Sequence, residues 1–258
     1  MQSKSNLAAL GAALCVLLST PAHAENKLVS GAVGLGVGTG PTFPGADEND
    51  SGLFPVVDLK IGQYVVVNQR GLGLEHSRSL GRGELSYGLG VGYDFTSRSV
   101  EDDPRLAGLS DVDAGAMASL FLEYQTGPFS YGLEVMRGLN SDGHEGTRAK
   151  LSGGYDIQLS ERAGLSVSPY LIWTDDNWMD SFFSVSNAQS VASGLAAYDA
   201  NAGMSKAGLN LTASYALREQ VIVFASVDYA TLLGDAADSS VSFDDNAASL
   251  SAGVMFRF

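Results

Sequence analysis

Leu85-Ser86-Tyr87-Gly88-Leu89-Gly90-Val91-Gly92-Tyr93-Asp94-Phe95 alternates between two kinds of residue. The odd-numbered positions are large and apolar, whereas the even-numbered positions are serine, glycine or aspartate. Successive side chains of a β-strand point to opposite faces of the sheet, while a helix brings together residues three and four apart. The stretch therefore predicts a strand with one apolar face and one small, polar face.

The same alternation recurs along nearly the whole chain. Segment 64–76 reads either as one long strand or as two short strands separated at Asn68-Gln69-Arg70-Gly71. Single-chain outer-membrane barrels have an even number of strands, so the split reading predicts twelve strands, with ten as the alternative. Pro55 lies near the start of its strand, where a missing N–H is tolerated. The other predicted strands are 28–38, 53–61, 84–95, 113–125, 128–138, 147–158, 163–173, 203–216, 220–231 and 248–258.

Two all-β architectures have strands of this kind, a secreted sandwich and a transmembrane barrel. Glycine, serine and alanine dominate the face opposite the apolar one, which favours the crowded interior of a barrel over a solvated sandwich surface. Connections also alternate between short turns, such as 126–128, and long acidic loops, such as 174–201. We therefore predict a transmembrane antiparallel β-barrel with periplasmic turns and outer loops. Aromatic residues near segment ends resemble interfacial girdles: Tyr93, Phe95, Tyr124, Phe129, Trp173, Tyr215, Tyr229 and Phe258.

The first 24 residues have the form of a cleaved secretory signal. Lys4 precedes a run of apolar or glycine residues from Leu7 to Leu18, and Ala22-His23-Ala24 fits a cleavage site. We therefore expect residues 25–258 to form the barrel, without cysteine because Cys15 is removed. No later segment approaches eighteen apolar residues, so a helical span is not expected.

Charge and composition limit the partners. The 258 residues include 29 acids and 15 bases, giving a formal net charge of −14, which argues against nucleic acid as a partner. Acidic clusters at 47–50, 101–103 and 175–177 lack the twelve-residue spacing of a calcium loop. We interpret them as solvated, mutually repelling loop tips, and we predict no metal and no cofactor.

The C-terminus has a distinct pattern. Gly253, Phe256 and Phe258 place a glycine and two aromatic residues at fixed spacing in the last strand. This pattern resembles the signal by which outer-membrane barrels are delivered to the barrel insertion machinery.

Four loop strings resemble those of the MipA/OmpV family of outer-membrane proteins. They lie at 43–47 (FPGAD), 102–111 (DDPRLAGLSD), 181–203 and 232–239 (LLGDAADS). The residues that carry the resemblance are Phe43, Pro44, Gly45, Asp47, Asp103, Pro104, Arg105, Leu106, Gly108, Leu109, Asp111, Ser193, Gly194, Leu233, Gly234, Asp235, Ala236 and Asp238.

The resemblance implies a location in the outer membrane of a Gram-negative bacterium, embedded in outer-membrane lipid. It also implies a scaffold that brings together a lytic transglycosylase and a penicillin-binding protein. The alternatives are a narrow pore or solute channel, an adhesin and a barrel hydrolase. Phe54, Phe121, Tyr170, Ile172 and Phe224 fall on the inward register, where they would narrow or plug a pore.

A hydrolase needs a base beside its nucleophile. Only His76 and His144 follow the signal, and His144 lies in Ser141-Asp142-Gly143-His144-Glu145. We interpret this segment as a solvated turn, so no catalytic residue is predicted.

Overall fold

The computed structural model describes residues 28–141 and 143–258, which form a closed barrel of twelve antiparallel strands. The signal segment lies outside the described residues, and its cleavage stays a prediction. Each strand pairs with its sequence neighbours, and β1 closes the ring against β12. The strands are β1 (Val29–Pro41), β2 (Asn49–Ile61), β3 (Val65–Asn68), β4 (Gly71–Leu80), β5 (Gly83–Asp94), β6 (Gly115–Thr126), β7 (Phe129–Gly138), β8 (Thr147–Gln158), β9 (Ala163–Thr174), β10 (Gly203–Arg218), β11 (Val221–Leu232) and β12 (Asn246–Arg257).

Twelve strands and the split of segment 64–76 are confirmed. The Arg70 N–H donates to the Asn68 side-chain oxygen at 2.9 Å, which closes the turn between β3 and β4. Gly71 follows with a φ of 97°, a conformation that favours glycine. Local turn chemistry therefore ends β3 after only four residues.

Inward-facing aromatic rings alternate with glycines around the wall. Each of four predicted inward rings lies opposite a glycine of the adjacent strand and occupies the space that a β-carbon at that glycine would need. The glycine repeats are therefore a packing requirement of the barrel interior. The four pairs are Phe54 with Gly36, Phe121 with Gly88, Tyr170 with Gly208, and Phe224 with Gly253.

The outward face is apolar and exposed, as lipid contact requires. Leu53 is 74% exposed, and Leu35 is 62% exposed. Aromatic residues lie toward both ends of the strands, consistent with the predicted girdles. Tyr93, Phe95, Trp173 and Tyr229 lie toward the outer end, and Tyr124, Phe129, Tyr215 and Phe258 lie toward the periplasmic end.

Two helices, not predicted from the sequence, lie in the loop between β9 and β10. They are α1 (Asp176–Phe183) and α2 (Asn187–Ser193). Asp175 begins α1 by accepting a hydrogen bond from the Trp178 N–H at 3.0 Å, and Ser186 and Gln189 form a capping box on α2. Among residues 28–141 and 143–258, no helix is long and apolar enough to cross a bilayer.

Candidate functional site: the outer cap and the lumen

Five outer loops pack together into what we call the cap, formed by residues 42–48, 95–114, 139–141 with 143–146, 175–202 and 233–245. Phe43, Leu106 and Val185, each 1% exposed, share one apolar cluster although their loops leave the ring four strands apart. Three loops that leave the barrel at evenly spaced positions can contact one another only if they extend over the opening of the barrel. The cap therefore closes the outer mouth of the barrel.

A second apolar cluster surrounds α1. Trp178, Met179, Phe182 and Phe183 are between 0 and 4% exposed, and they pack against Val112 and against residues of the last outer loop. Residues three and four apart share one face of a helix, so α1 directs this apolar face into the cap. The largest fully buried side chains described lie almost entirely in the cap: Phe43, Phe182, Phe183, Leu106, Met179, Val185 and Val241.

Arg105 joins two cap loops. Its guanidinium pairs with Asp103 on its own loop and with Asp47 on the first outer loop, and it lies 3.7 Å from the ring centroid of Phe243. The adjacent guanidinium lowers the pKa of both the Asp47 and Asp103 carboxyls below the ordinary value of 3.8. The interpretation of clusters 47–50 and 101–103 as mutually repelling tips was therefore wrong for Asp47 and Asp103, because Arg105 lies between these two acids and pairs with both.

Arg98 is a buried cation that sequence reasoning missed. Its side chain is 2% exposed and donates to the Phe182 carbonyl at 2.6 Å and to the Ser110 carbonyl at 3.2 Å. Burial lowers the pKa of Arg98 to about 10, so the side chain stays charged at neutral pH. This cation ties the loop after β5 to the C-terminal end of α1, where carbonyl groups lack helical partners.

The loop residues singled out from the sequence all lie in the cap, and several make its inter-loop contacts. Gly45, with φ 94°, lies against Ser242, and Gly108, with φ 96°, lies against Ala192. Gly194 ends α2 in the left-handed conformation, and Asp235 accepts two hydrogen bonds from Asn201. The four strings therefore fold into one packed unit.

His144 lies in the cap interior and does not form a solvated turn, so that interpretation was wrong. The side chain is 5% exposed, and its ring centroid lies 4.2 Å from that of Trp178. Its Nε2 lies 3.2 Å from Asp94 Oδ2, which also accepts a hydrogen bond from Arg148 at 2.9 Å. Among the described residues, no hydroxyl lies within hydrogen-bond distance of His144.

The lumen beneath the cap carries charged side chains, and Glu134 and Asp228 lie on the face that the alternation assigns to the interior. Inside the barrel, the Nε of Arg70 lies 2.7 Å from Oε1 of Glu134 on β7, and its guanidinium lies 4.5 Å from the ring centroid of Phe121. Tyr170 donates to Asp228 at 2.9 Å. Toward the periplasmic end, small inward residues remain partly accessible: Ser130, Gly154, Ser166 and Ser214.

The predicted C-terminal signal residues lie at the end of the chain, with Gly253 and Phe256 on β12 and Phe258 directly after it. Phe256 and Phe258 are 45% and 37% exposed, and their rings stack with centroids 6.3 Å apart. Gly253 lies opposite Phe224, so it also has a packing role. Within residues 28–141 and 143–258, no group of three or more His, Cys, Asp or Glu side chains is arranged to hold a metal ion.

Comparison with known proteins places the chain among outer-membrane proteins. The family described as MltA-interacting protein MipA matches residues 33–258. YiaT of Escherichia coli (strain K12), provisionally named as an outer membrane protein, is 28% identical over 87% of this chain and 91% of its own length. Its counterpart in strain O157:H7 is 30% identical over 45% of this chain.

Two solved structures of bacterial proteins also align with most of this chain. Pseudomonas putida OprB aligns with a TM-score of 0.43 and 12% identity over 72% of this chain, which spans about half of OprB (48%). Vibrio cholerae OmpT aligns with a TM-score of 0.38 and 10% identity, over 91% of this chain and 99% of OmpT.

Proposed function

Because the chain belongs to the MipA family, we propose that it is a non-enzymatic platform in the outer membrane that holds peptidoglycan-remodelling enzymes on its periplasmic side. The family description names MltA as a partner, and the family resemblance implies a lytic transglycosylase and a penicillin-binding protein. The observation that carries the proposal is the closed outer mouth, which leaves the short periplasmic turns as the exposed face on the peptidoglycan side.

The surface available to a periplasmic partner consists of short turns. Residues 81–82, 159–162 and 218–220 expose the side chains of Arg82, Arg162 and Arg218, each with a glutamate nearby. Turns at the ends of a closed barrel are held in fixed relative positions, because every strand is paired on both sides near the periplasmic end. Such a rigid ring of charges suits recognition without catalysis.

The same geometry disfavours the rival functions. A pore requires a continuous aqueous path, whereas the outer mouth contains apolar clusters with side chains at 0 to 1% exposure. A hydrolase requires a nucleophile beside its base, and His144 instead contacts Asp94, Trp178 and Phe182. We expect no stepwise conductance in a planar bilayer and no turnover of lipid or peptide substrates.

The decisive experiment measures direct binding. The purified protein in detergent is immobilised, and a soluble MltA-type lytic transglycosylase or a penicillin-binding protein flows over it. Arg82→Glu and Arg162→Glu are expected to weaken binding by about tenfold each, about 1.4 kcal/mol. Asp180→Arg, an exposed change on the cap, is the matched control and should leave binding unchanged. Absence of binding by both enzymes, or loss of binding only in the cap variant, contradicts the proposal.

We also propose that Gly253, Phe256 and Phe258 deliver the chain to the barrel insertion machinery. Removing Phe258 should lower the amount of folded protein in the outer membrane while leaving refolding into detergent micelles unchanged. Equal losses in both assays would assign Phe258 to barrel stability instead.

A further inference from the structure

The barrel wall has a gap between β2 and β5, which we call the wall window. β2 has 13 residues but β3 has only four, and β2 pairs with β3 only at Leu59, Lys60 and Ile61. Residues 49–58 pair with β1 alone, a free edge about 30 Å long at about 3.3 Å per residue. Among the described residues, none outside β1 makes a backbone hydrogen bond to residues 51–57.

Structural elements bound the window on every side. The turn at 69–70 forms the lower edge of the window. On the far side, Leu72 near the start of β4 pairs with Val91 of β5, and β5 continues for only three residues past Val91. The Asp47 to Arg105 ion pair joins the loops above it. Two strand positions are missing between β2 and β5, a width of about 10 Å.

Residues along the free edge match an opening through the wall. Asp58 faces the lumen at the lower end of the free stretch and is exposed, whereas Val56 packs into an inward apolar cluster with Phe54. Pro55 lies on the free stretch, and proline within a sheet is confined to edges because it lacks an N–H.

The surroundings of the window indicate that its occupant comes from the bilayer. Leu53, Leu72, Val91 and Phe95 flank it with exposures between 52 and 74%. These side chains continue the lipid-facing belt, so an acyl chain reaches the gap without crossing polar surface.

Two lysines on the opposite wall lack counter-ions. Lys150 and Lys206 face the lumen in one row, each paired in register with Ile172 of β9, which lies six strands from β3. Among residues 28–141 and 143–258, no carboxylate lies within 4 Å of either ammonium group. The nearby acids Glu134 and Asp228 are already held by Arg70 and Tyr170.

We propose that the wall window admits a long-chain alkyl carboxylate from the membrane, with its chain between β2 and β5 and its carboxylate at Lys150 and Lys206. An anion there would supply the carboxylate that both lysines lack, since Lys150 otherwise contacts only the Tyr170 ring, 4.6 Å from its centroid, and a buried charge is costly until it is paired. The site does not depend on the platform role, because it lies within the wall and not at the periplasmic turns.

The test measures binding of radiolabelled palmitate to the purified protein in a non-ionic detergent. Saturable binding at one site is expected, with unlabelled palmitate competing about tenfold better than hexadecanol. Lys150→Met and Lys206→Met should each weaken binding by about tenfold, about 1.4 kcal/mol. Gln69→Trp, at the lower edge of the window, should weaken it similarly, whereas Gln63→Trp, an equally exposed glutamine on a periplasmic turn, should not.

Equal competition by palmitate and hexadecanol overturns the carboxylate assignment, and this comparison uses only the unmodified protein. Equal binding by the Gln69→Trp and Gln63→Trp variants overturns the window as the entry. Far-UV circular dichroism confirms that each variant is folded before it is compared. If a lysine variant does not fold, Lys206→Gln replaces it with the same expected loss.

Discussion

The ring of Phe54 on β2 fills the space above Gly36, its cross-strand partner on β1. A β-carbon built at Gly36 lies 2.7 Å from Phe54 Cε2 and 2.9 Å from Cε1, well inside carbon–carbon contact distance. Only ring atoms of Phe54 are among its nearest neighbours. The packing of this pair therefore requires a large ring on one strand and a residue without a side chain on the next. The other three inward rings also lie opposite a glycine.

Adding a methyl group at Gly36 should destabilise the barrel. Gly36→Ala forces the Phe54 ring from its place, and overpacking of this kind costs about 1–3 kcal/mol. Urea unfolding in detergent micelles measures the loss. Gly164→Ala is the control, because its β-carbon would meet Ser214 Oγ at an ordinary 3.4 Å. Phe54→Leu combined with Gly36→Ala should recover part of the loss, and strict additivity of the two changes would contradict this account.

The barrel is predictable from sequence because its determinants are local. Alternation assigns each face of a strand, and Asn68 through Gly71 contain the turn chemistry that separates β3 from β4. Parity then fixes the count at twelve. The inward register of Phe54 and Tyr170 follows from the same period of two, without knowledge of which strands are neighbours.

The cap was missed because its contacts join distant loops. Asp47 meets Arg105, and Arg98 meets the Phe182 carbonyl, only after the ring has closed. A local signal for α1 was nevertheless present. Asp175 is a good N-cap residue, and Trp178 and Phe182 have helical spacing, but a strand-dominated reading assigned the segment to a loop.

The cap core should open without unfolding of the barrel. Phe182 is 0% exposed, and its truncation to alanine costs about 3–5 kcal/mol in a packed core. Because the strands form a separately hydrogen-bonded ring, we expect Phe182→Ala to loosen the loops locally. Proteinase K should then cleave within 175–202 while the barrel keeps its far-UV circular dichroism. Val191→Ala, at a side chain 90% exposed, is the control. Barrel unfolding together with loop cleavage would show that the cap and wall form one cooperative unit.

The Arg105 contacts make the cap sensitive to acid. Folding lowers the pKa of Asp47 and Asp103 below 3.8, so their stabilisation is complete above that value. It is lost as the pH falls through the lowered pKa values, since protonated carboxyls no longer pair with Arg105. Spin labels at Glu48→Cys and Asp102→Cys should therefore give a narrow distance distribution at pH 6 and a broader one at a pH below the lowered pKa values of both carboxyls.

Arg105→Gln provides the control for this experiment. Without the guanidinium, the distribution should be broad at both pH values. A narrow distribution in Arg105→Gln at pH 6 would assign the contact between loops 42–48 and 95–114 to the apolar cluster of Phe43 and Leu106.

Asp94 is expected to contribute more to the stability of the protein than one surface charge would. Its carboxylate holds His144 and Arg148, and it also accepts the Thr96 N–H at 3.0 Å. Asp94→Asn preserves shape and a hydrogen-bond acceptor but removes the charge, so Arg148 loses its ion pair and keeps the Trp178 ring, 4.4 Å away. Because Arg148 is 22% exposed, the expected loss is about 1–3 kcal/mol, less than for a fully buried pair. Thermal unfolding in micelles measures it against Asp156→Asn, where the lost partner is a single serine hydroxyl. Equal losses of stability in the two variants would mean that Asp94 stabilises the protein only as a hydrogen-bond acceptor and that its negative charge makes no contribution.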